Sequence, residues 1–162
     1  MTRNIKISIG YIIIIAVLGF TGIQIYKQNY VTKTVSSNID LPITAVIRSS
    51  KGIDIQVRVA NSEKTRELGL SHFKNIPSNQ GMLFVFPQMG IYPFWMKNMN
   101  FPIDILWIDK NNNIVDRVIN IDPSSYPKTF IPKENALYVL EIPAYTADDY
   151  GFLVGSSVII KK

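Results

Sequence analysis

The sequence contains no cysteine and only one histidine, His72. The absence of cysteine excludes disulfide bonds, a cysteine nucleophile and thiolate metal sites. One histidine without cysteine leaves no usual zinc site, so we expect no metal and no other cofactor. Ser71 precedes His72, but no nucleophile elbow or triad spacing surrounds the pair. We therefore interpret His72 as a surface loop residue.

The chain also lacks a run of basic residues, although its formal net charge is +5. A positive balance can suit nucleic acid or an anionic membrane surface. Here the 17 lysines and arginines are scattered over 162 residues and mark no basic helix face. We therefore do not expect nucleic acid as a partner. A length of 162 residues accommodates one domain with a real core, but not comfortably two.

One segment near the N-terminus lacks charge altogether. Residues 7–26, ISIGYIIIIAVLGFTGIQIY, follow Arg3 and Lys6. As a helix, a segment of about twenty residues spans roughly 30 Å, which is enough to cross a hydrocarbon core. We predict an uncleaved transmembrane signal anchor. A cleaved signal peptide is the alternative, but no convincing small-x-small cleavage site follows the apolar run.

The remaining boundaries follow from this anchor. Residues 1–6 are predicted to be cytoplasmic, because their charges and the free amine favour an N-terminus inside the cell. Residues 27–40 are polar and without helical periodicity, which is typical of a tether. Residues 41–162 would then form a single extracytoplasmic domain. The predicted localisation is the cell membrane, with a single N-terminal span.

The domain carries the alternation and turn signals of a β-rich fold. Residues 53–59 alternate strictly between apolar and polar side chains, which predicts a half-buried strand paired with residues 43–48. Further strands are predicted over residues 82–86, 94–97, 103–108, 114–121, 136–142 and 156–160. Two short helices are predicted to end at Gly69 and Gly151. About seven strands with two short helices predict a mostly β, α+β domain, folded as a small barrel or sandwich.

Five short motifs stand in order along this domain: Arg66–Leu70 (RELGL), Gly81–Phe86 (GMLFVF), Phe94–Asn98 (FWMKN), Pro102–Ile105 (PIDI) and Leu140–Ala144 (LEIPA). From about residue 53 to residue 158, their order and spacing resemble the bacterial and archaeal domain-of-unknown-function family 192. The resemblance implies a single compact β-rich domain, often exported or membrane-anchored, and no established activity. The chain departs from the family at Ser71, where methionine is usual. It also departs in loop 122–132, which lacks the cysteines of many relatives.

Asp109, Asn111 and Asn113 resemble the opening of an EF-hand calcium loop. The sixth position, however, is Ile114, where glycine makes the turn, and the twelfth is Asn120, where a bidentate glutamate belongs. We therefore interpret this segment as a plain hairpin turn.

The FWMKN motif and the carboxylate that follows it carry the best candidate for a binding site. A lysine, an amide and a carboxylate beside an aromatic ring can hold a small polar ligand, such as a sugar or a peptide end. We predict that Trp95, Lys97, Asn98 and Asp104 converge on one site. Trp95 would stack on the ligand, Lys97 would bind an anionic group and Asn98 would fix orientation. The alternative is that the Trp95 stretch is core and Asp104 accepts loop amides near Asn98.

Asp104 and Glu141 both interrupt apolar runs, and charged residues are seldom buried without a partner. Arg66, Lys97 and Arg117 are the candidate ion-pair partners. Alternatively, the two carboxyl groups could be the acid–base pair of a small cell-envelope hydrolase or transferase. No nucleophile, metal or nucleotide motif supports catalysis. We therefore favour a membrane-anchored, non-catalytic module that binds a small polar ligand or assembles with an envelope protein.

Overall fold

The computed structural model describes residues 41–161. The predicted signal anchor (residues 7–26) and tether (residues 27–40) lie outside these described residues. Within residues 41–161, no helix is both long enough and apolar enough to cross a membrane.

The described chain forms nine β-strands, two short α-helices and one 3-10 turn at Pro123–Ser125. The strands are β1 (Ile43–Arg48), β2 (Asp54–Ala60), β3 (Gln80–Gly90), β4 (Phe94–Trp95), β5 (Ile103–Ile108), β6 (Ile114–Ile121), β7 (Thr129–Phe130), β8 (Ala136–Pro143) and β9 (Ile159–Lys161). The helices are α1 (Glu63–Leu68) and α2 (Thr146–Tyr150). The prediction of a mostly β domain with two short helices is therefore confirmed.

Seven strands form one open sheet in the order β6-β5-β8-β3-β2-β1-β9, and β4 pairs separately with β7. Neighbouring strands of the large sheet are antiparallel except β2 and β3, which are parallel and are connected through α1. The small barrel or sandwich that the sequence predicts does not form, because the seven-stranded sheet is open. A single bridge, Asn113 to Ser157, joins the loops beside the two edge strands, and no ladder between β6 and β9 closes the described sheet.

Each face of the large sheet is covered by a different hydrophobic cluster. On one face, Leu106 and Ile142 pack with residues from α2 and its C-terminal loop. On the other face, Ile105 and Trp107 pack with residues from the segments that follow α1 and β4. Because both faces are covered, every residue of β5 is buried, which explains its nearly continuous apolar sequence.

The turn chemistry agrees with the sequence at two hairpins. Gly52 takes a φ of +80° in the β1–β2 turn, a conformation that glycine adopts without steric cost. In the β5–β6 turn, Asp109 Oδ1 accepts hydrogen bonds from the backbone N–H groups of Asn111 and Asn113, each at 2.8 Å. This Asx-type geometry confirms that the EF-hand-like segment is a hairpin turn.

Strand β3 is longer than predicted, because it continues past Pro87 to Gly90. Proline cannot donate a hydrogen bond to a neighbouring strand. The pairing of β3 with β8 shifts in register between Val85 and Gly90, so the missing N–H falls where the ladder is interrupted. Pro87 is therefore tolerated within the strand.

Candidate functional site

A cleft of about 540 Å³ opens on the sheet face that α1 and β4 cover. Its walls are mainly apolar and aromatic, and five charged side chains also line it. The apolar lining includes Leu68, Leu70, Phe84, Phe86, Pro93, Phe94, Trp95 and Met99, and the charged lining is Glu63, Arg66, Glu67, Lys97 and Glu141.

Four of the five sequence motifs meet at this cleft: RELGL, GMLFVF, FWMKN and LEIPA. Gly81 lies on β3 directly beside β8, where there is no room for a side chain. A Cβ at Gly81 would lie 2.5 Å from the carbonyl oxygen of Glu141, which is closer than a real contact allows. The glycine therefore lets β3 approach the strand that carries the cleft's buried carboxyl group.

The aromatic wall is built from one anchored ring and one exposed ring. Phe94 packs edge-on against Phe84, with ring centroids 4.9 Å apart, and against Trp107 at 6.2 Å. Successive side chains of a strand point to opposite sides, so the next residue, Trp95, points away from this core. Its side chain is 54% exposed, which does not fit the alternative that it belongs to the core.

Both cations of the cleft rest on aromatic rings. The ammonium of Lys97 lies 5.8 Å from the centroid of the Trp95 ring. The guanidinium of Arg66 lies 5.1 Å from the Phe86 ring centroid, and its Nη1 donates a hydrogen bond to the Val85 carbonyl at 2.9 Å. Cation–π contacts of this kind contribute about 0.5–1 kcal/mol at exposed sites. They favour these positions of the two positive charges along the walls.

Glu141 is the buried ionisable group of the cleft. It lies on β8 opposite Met82 of β3 and Ile105 of β5, and therefore points to the face that those apolar residues share. The residue is 4% exposed, and its Oε2 has no hydrogen-bond partner among the described residues. Burial raises the pKa of Glu141 to about 8, so the carboxyl group is mostly protonated at neutral pH.

The ion pairs expected for Glu141 are not formed among the described residues. Arg66 instead contacts the Val85 carbonyl and Phe86. Arg117 lies on β6 opposite Leu106, which places it on the other face of the sheet. There its Nη1 lies 2.7 Å from Asp148 Oδ1 and 3.1 Å from the Phe152 carbonyl oxygen.

Asp104 is also on the other face, where it has a structural role. Its carboxyl group accepts hydrogen bonds from the N–H groups of Asn120 (2.8 Å), Tyr145 (3.2 Å) and Ala147 (2.8 Å). Tyr145 provides no side-chain cap for α2, so Asp104 supplies that function from β5. Burial raises the pKa of Asp104, and the three N–H donors oppose this rise. The loop amides that it binds are not those near Asn98.

The opposite placement of the two carboxyl groups follows from strand register. Asp104 pairs with Ile142 and Ile105 pairs with Glu141, so the side chains of Asp104 and Glu141 leave the sheet on opposite faces. They cannot reach the same substrate bond from these positions.

Asn98 is the remaining predicted site residue. It has a φ of 58° and follows Lys97 in a turn closed by the Met99 N–H and the Met96 carbonyl at 3.2 Å. Asparagine tolerates this left-handed conformation better than most residues. The Asn98 side chain does not line the cleft. The structure therefore unites Trp95 and Lys97 with Arg66 and Glu141, but not with Asn98 or Asp104.

Metal ligands do not cluster at the cleft or elsewhere in residues 41–161. The described part of the chain has no group of three or more histidine, cysteine, aspartate or glutamate side chains placed to hold a metal ion. The polar chemistry of the cleft therefore comes from Glu141 and from the rim charges.

Comparison with known proteins gives a family and a fold. The model of the family DUF192, described as "Uncharacterized ACR", matches residues 45–160. A candidate transcription regulator from Sinorhizobium meliloti is 29% identical in sequence, with a TM-score of 0.66 over 71% of this chain and 90% of that chain. A protein of unknown function from Novosphingobium aromaticivorans, 22% identical, has a TM-score of 0.66 over 71% of this chain and 82% of its own. No curated protein matches.

The protonation of Glu141 predicts how stability depends on pH. Because its pKa is raised from 4.5 to about 8 in the folded state, the folded chain retains a proton that the unfolded chain loses. Stability should therefore fall as pH rises through this window, by at most about 1.4 kcal/mol per pH unit. The Glu141→Gln variant lacks this contribution, so its stability relative to wild type should increase from pH 5 to pH 8. Urea unfolding at each pH measures the difference.

The Glu63→Gln variant is the matched control for this measurement, because Glu63 lines the same cleft but is exposed. It should reproduce the wild-type dependence on pH. A stability difference between wild type and Glu141→Gln that stays constant from pH 5 to pH 8 would contradict a buried, protonated Glu141.

Proposed function

This chain belongs to the DUF192 family, and we propose that its domain is a non-catalytic module that binds a small polar ligand outside the cell membrane. The observation that carries the proposal is the cleft, in which a buried carboxyl group without a hydrogen-bond partner among the described residues accompanies an exposed tryptophan ring. The N-terminal segment would tether the domain to the membrane.

The size and lining of the cleft support ligand binding. Small-molecule sites are commonly clefts of about 300–1,000 Å³ with mostly apolar walls and a few fixed polar groups. This cleft has a volume of about 540 Å³ and meets that description. An exposed tryptophan beside it offers a flat apolar surface at small conformational cost. Lys97 and Arg66, which contact the Trp95 and Phe86 rings, would orient an approaching polar group.

The arrangement gives little support to the alternative of a hydrolase or transferase. That mechanism needs both Asp104 and Glu141 near one bond, and their side chains leave opposite faces of the sheet. The carboxyl group of Asp104 is also engaged by three backbone donors. Among residues 41–161, no hydrogen bond links Glu141 Oε2 to a nucleophile or to a second acid.

Binding in the cleft predicts a selective effect of Trp95. A panel of saccharides, amino acids, short peptides and amines should contain compounds that raise the melting temperature of the full chain in detergent. Trp95→Ala should weaken binding of such compounds about tenfold in calorimetric titrations, since the stacking surface is lost. Because the residue is 54% exposed, the loss of stability should be smaller than the roughly 3–5 kcal/mol typical of truncating a core tryptophan.

Ile131→Ala is the control, because Ile131 is 63% exposed and does not line the cleft. It should leave binding unchanged. If no compound binds, or if Trp95→Ala binds every compound as tightly as wild type, the cleft is not the ligand site.

The membrane tether predicts which side of the membrane the domain occupies. Residues 7–26 carry no charge and are long enough to span as a helix, which supports an anchored domain outside. Protease added to intact spheroplasts should digest residues 41–162 and spare a cytoplasmic marker. Digestion only after lysis would contradict this orientation.

A further inference from the structure

We propose that the cleft receives a primary ammonium group on an aliphatic stem and that Glu141 is its counterion. This inference rests on the proposed ligand-binding function and names the chemical class of the ligand. The occupant could be a free alkylamine or the side chain of a lysine in a polypeptide, because the two present the same ammonium and stem.

The carboxyl group of Glu141 has a hydrogen-bond acceptor that is not satisfied by the described residues. A carboxyl group in apolar surroundings is costly unless it is hydrogen-bonded or paired with a charge. Glu141 Oε2 is buried and has no hydrogen-bond partner among the described residues. In the free protein, protonation removes the charge but leaves this oxygen without a partner. An ammonium group would supply a charge-assisted hydrogen bond, which is stronger than a bond between neutral groups.

The basic side chains on this face of the sheet contact groups other than the Glu141 carboxyl group. Arg66 donates to the Val85 carbonyl, and Lys97 lies over the Trp95 ring. Arg58, on β2 opposite Met82, donates to Gln80 Oε1 at 3.0 Å and lies 4.8 Å from the Phe73 ring centroid. Glu141 Oε2 has no hydrogen-bond partner within residues 41–161, so this oxygen is available to an external cation.

The geometry of the carboxyl group favours an ammonium over a guanidinium. Within residues 41–161, Glu141 Oε2 is the one carboxyl oxygen that is buried without a partner, and a compact ammonium can donate to this single atom. A planar guanidinium favours two parallel hydrogen bonds to both oxygens of a carboxylate. The apolar walls formed by Leu70, Phe84 and Phe94 would contact an unbranched aliphatic stem. A primary ammonium with such a stem matches both features.

The charges around the cleft favour a cation over an anion once Glu141 is ionised. Three acidic groups, Glu63, Glu67 and Glu141, then face two basic groups, Arg66 and Lys97, which leaves one net negative charge in the lining. Glu63 and Glu67 lie exposed on α1, where they would attract an incoming ammonium. Arg58, His72, Tyr92 and Lys128 also lie on this side. The His72 ring is tilted by 42° against Phe73, with centroids 4.0 Å apart.

Ammonium binding must be linked to the loss of a proton from Glu141. Burial raises the pKa of the free carboxyl group to about 8, and the ion pair requires the ionised form. Amine affinity should therefore rise about fivefold from pH 7 to pH 8 and level off above that pH, while an alkylamine stays protonated. A ligand that only accepts a hydrogen bond from protonated Glu141 would show the opposite dependence.

The test is calorimetric titration of the full-length chain in detergent with 1,5-diaminopentane, Nα-acetyl-lysine methylamide and the neutral analogue 1-pentanol. Both amines should bind at least tenfold more tightly than the alcohol at pH 8, with affinity rising between pH 7 and pH 8.5. Tighter binding of the diamine identifies a free amine as the source, and tighter binding of the lysine derivative identifies a polypeptide side chain.

Two variants separate Glu141 from other causes of the pH dependence. Glu141→Gln should weaken amine binding at pH 8 by roughly thirtyfold or more and remove its pH dependence. His72→Gln removes the only histidine of the chain and should retain the wild-type profile.

Amine affinity that is flat or falls from pH 7 to pH 8.5 overturns the inference, and so does tighter binding of Nα-acetyl-arginine methylamide. The wild-type pH profile is measured without any variant, so it decides between these outcomes even if Glu141→Gln fails to fold. If sugars or other neutral compounds bind in the cleft while amines do not, the ligand class is wrong and the binding function stands. If no compound binds, the binding function fails as well.

Discussion

The alternation of side chains across the β5–β8 ladder is the constraint on which the rest of this structure depends. It sends Asp104 to one face of the sheet and Glu141 to the other. On its face, Asp104 meets three N–H donors and fixes the start of α2. On the other face, Glu141 meets apolar side chains and an open cleft. A carboxyl group thus caps α2 on one face of the sheet and is a candidate binding group on the other face.

The elements of the fold were largely predictable because their signals are local. Strict alternation over residues 53–59 and the glycine at residue 52 define the first hairpin without knowledge of the rest of the chain. The end of β3 was not predictable, since Pro87 is tolerated only where the pairing with β8 lapses. Closure of the sheet depends on whether the edge strands β6 and β9 pair with each other. This pairing is a long-range contact that no local sequence pattern predicts.

The candidate site could be predicted in part. Two residues of the FWMKN motif, Trp95 and Lys97, line the cleft. The sequence could not place Asp104 and Glu141 on opposite faces, because the register between strands about 37 residues apart is a non-local property. Nor could it rank partners for Arg66, which contacts a carbonyl oxygen and a ring. A single glutamate that interrupts an apolar run was the signal available in the sequence for the buried carboxyl group.

The most direct test of this account is the titration of the Glu141 carboxyl group in the folded full-length chain. Carboxyl-carbon NMR with selectively labelled glutamate, assigned by comparison with Glu141→Gln, reports the midpoint for this residue. A buried carboxyl group without a partner predicts a pKa of about 8. A midpoint near the ordinary value of 4.5 would mean that Glu141 is solvated or paired, and would contradict both the cleft's unpaired carboxyl and the ligand class inferred from it.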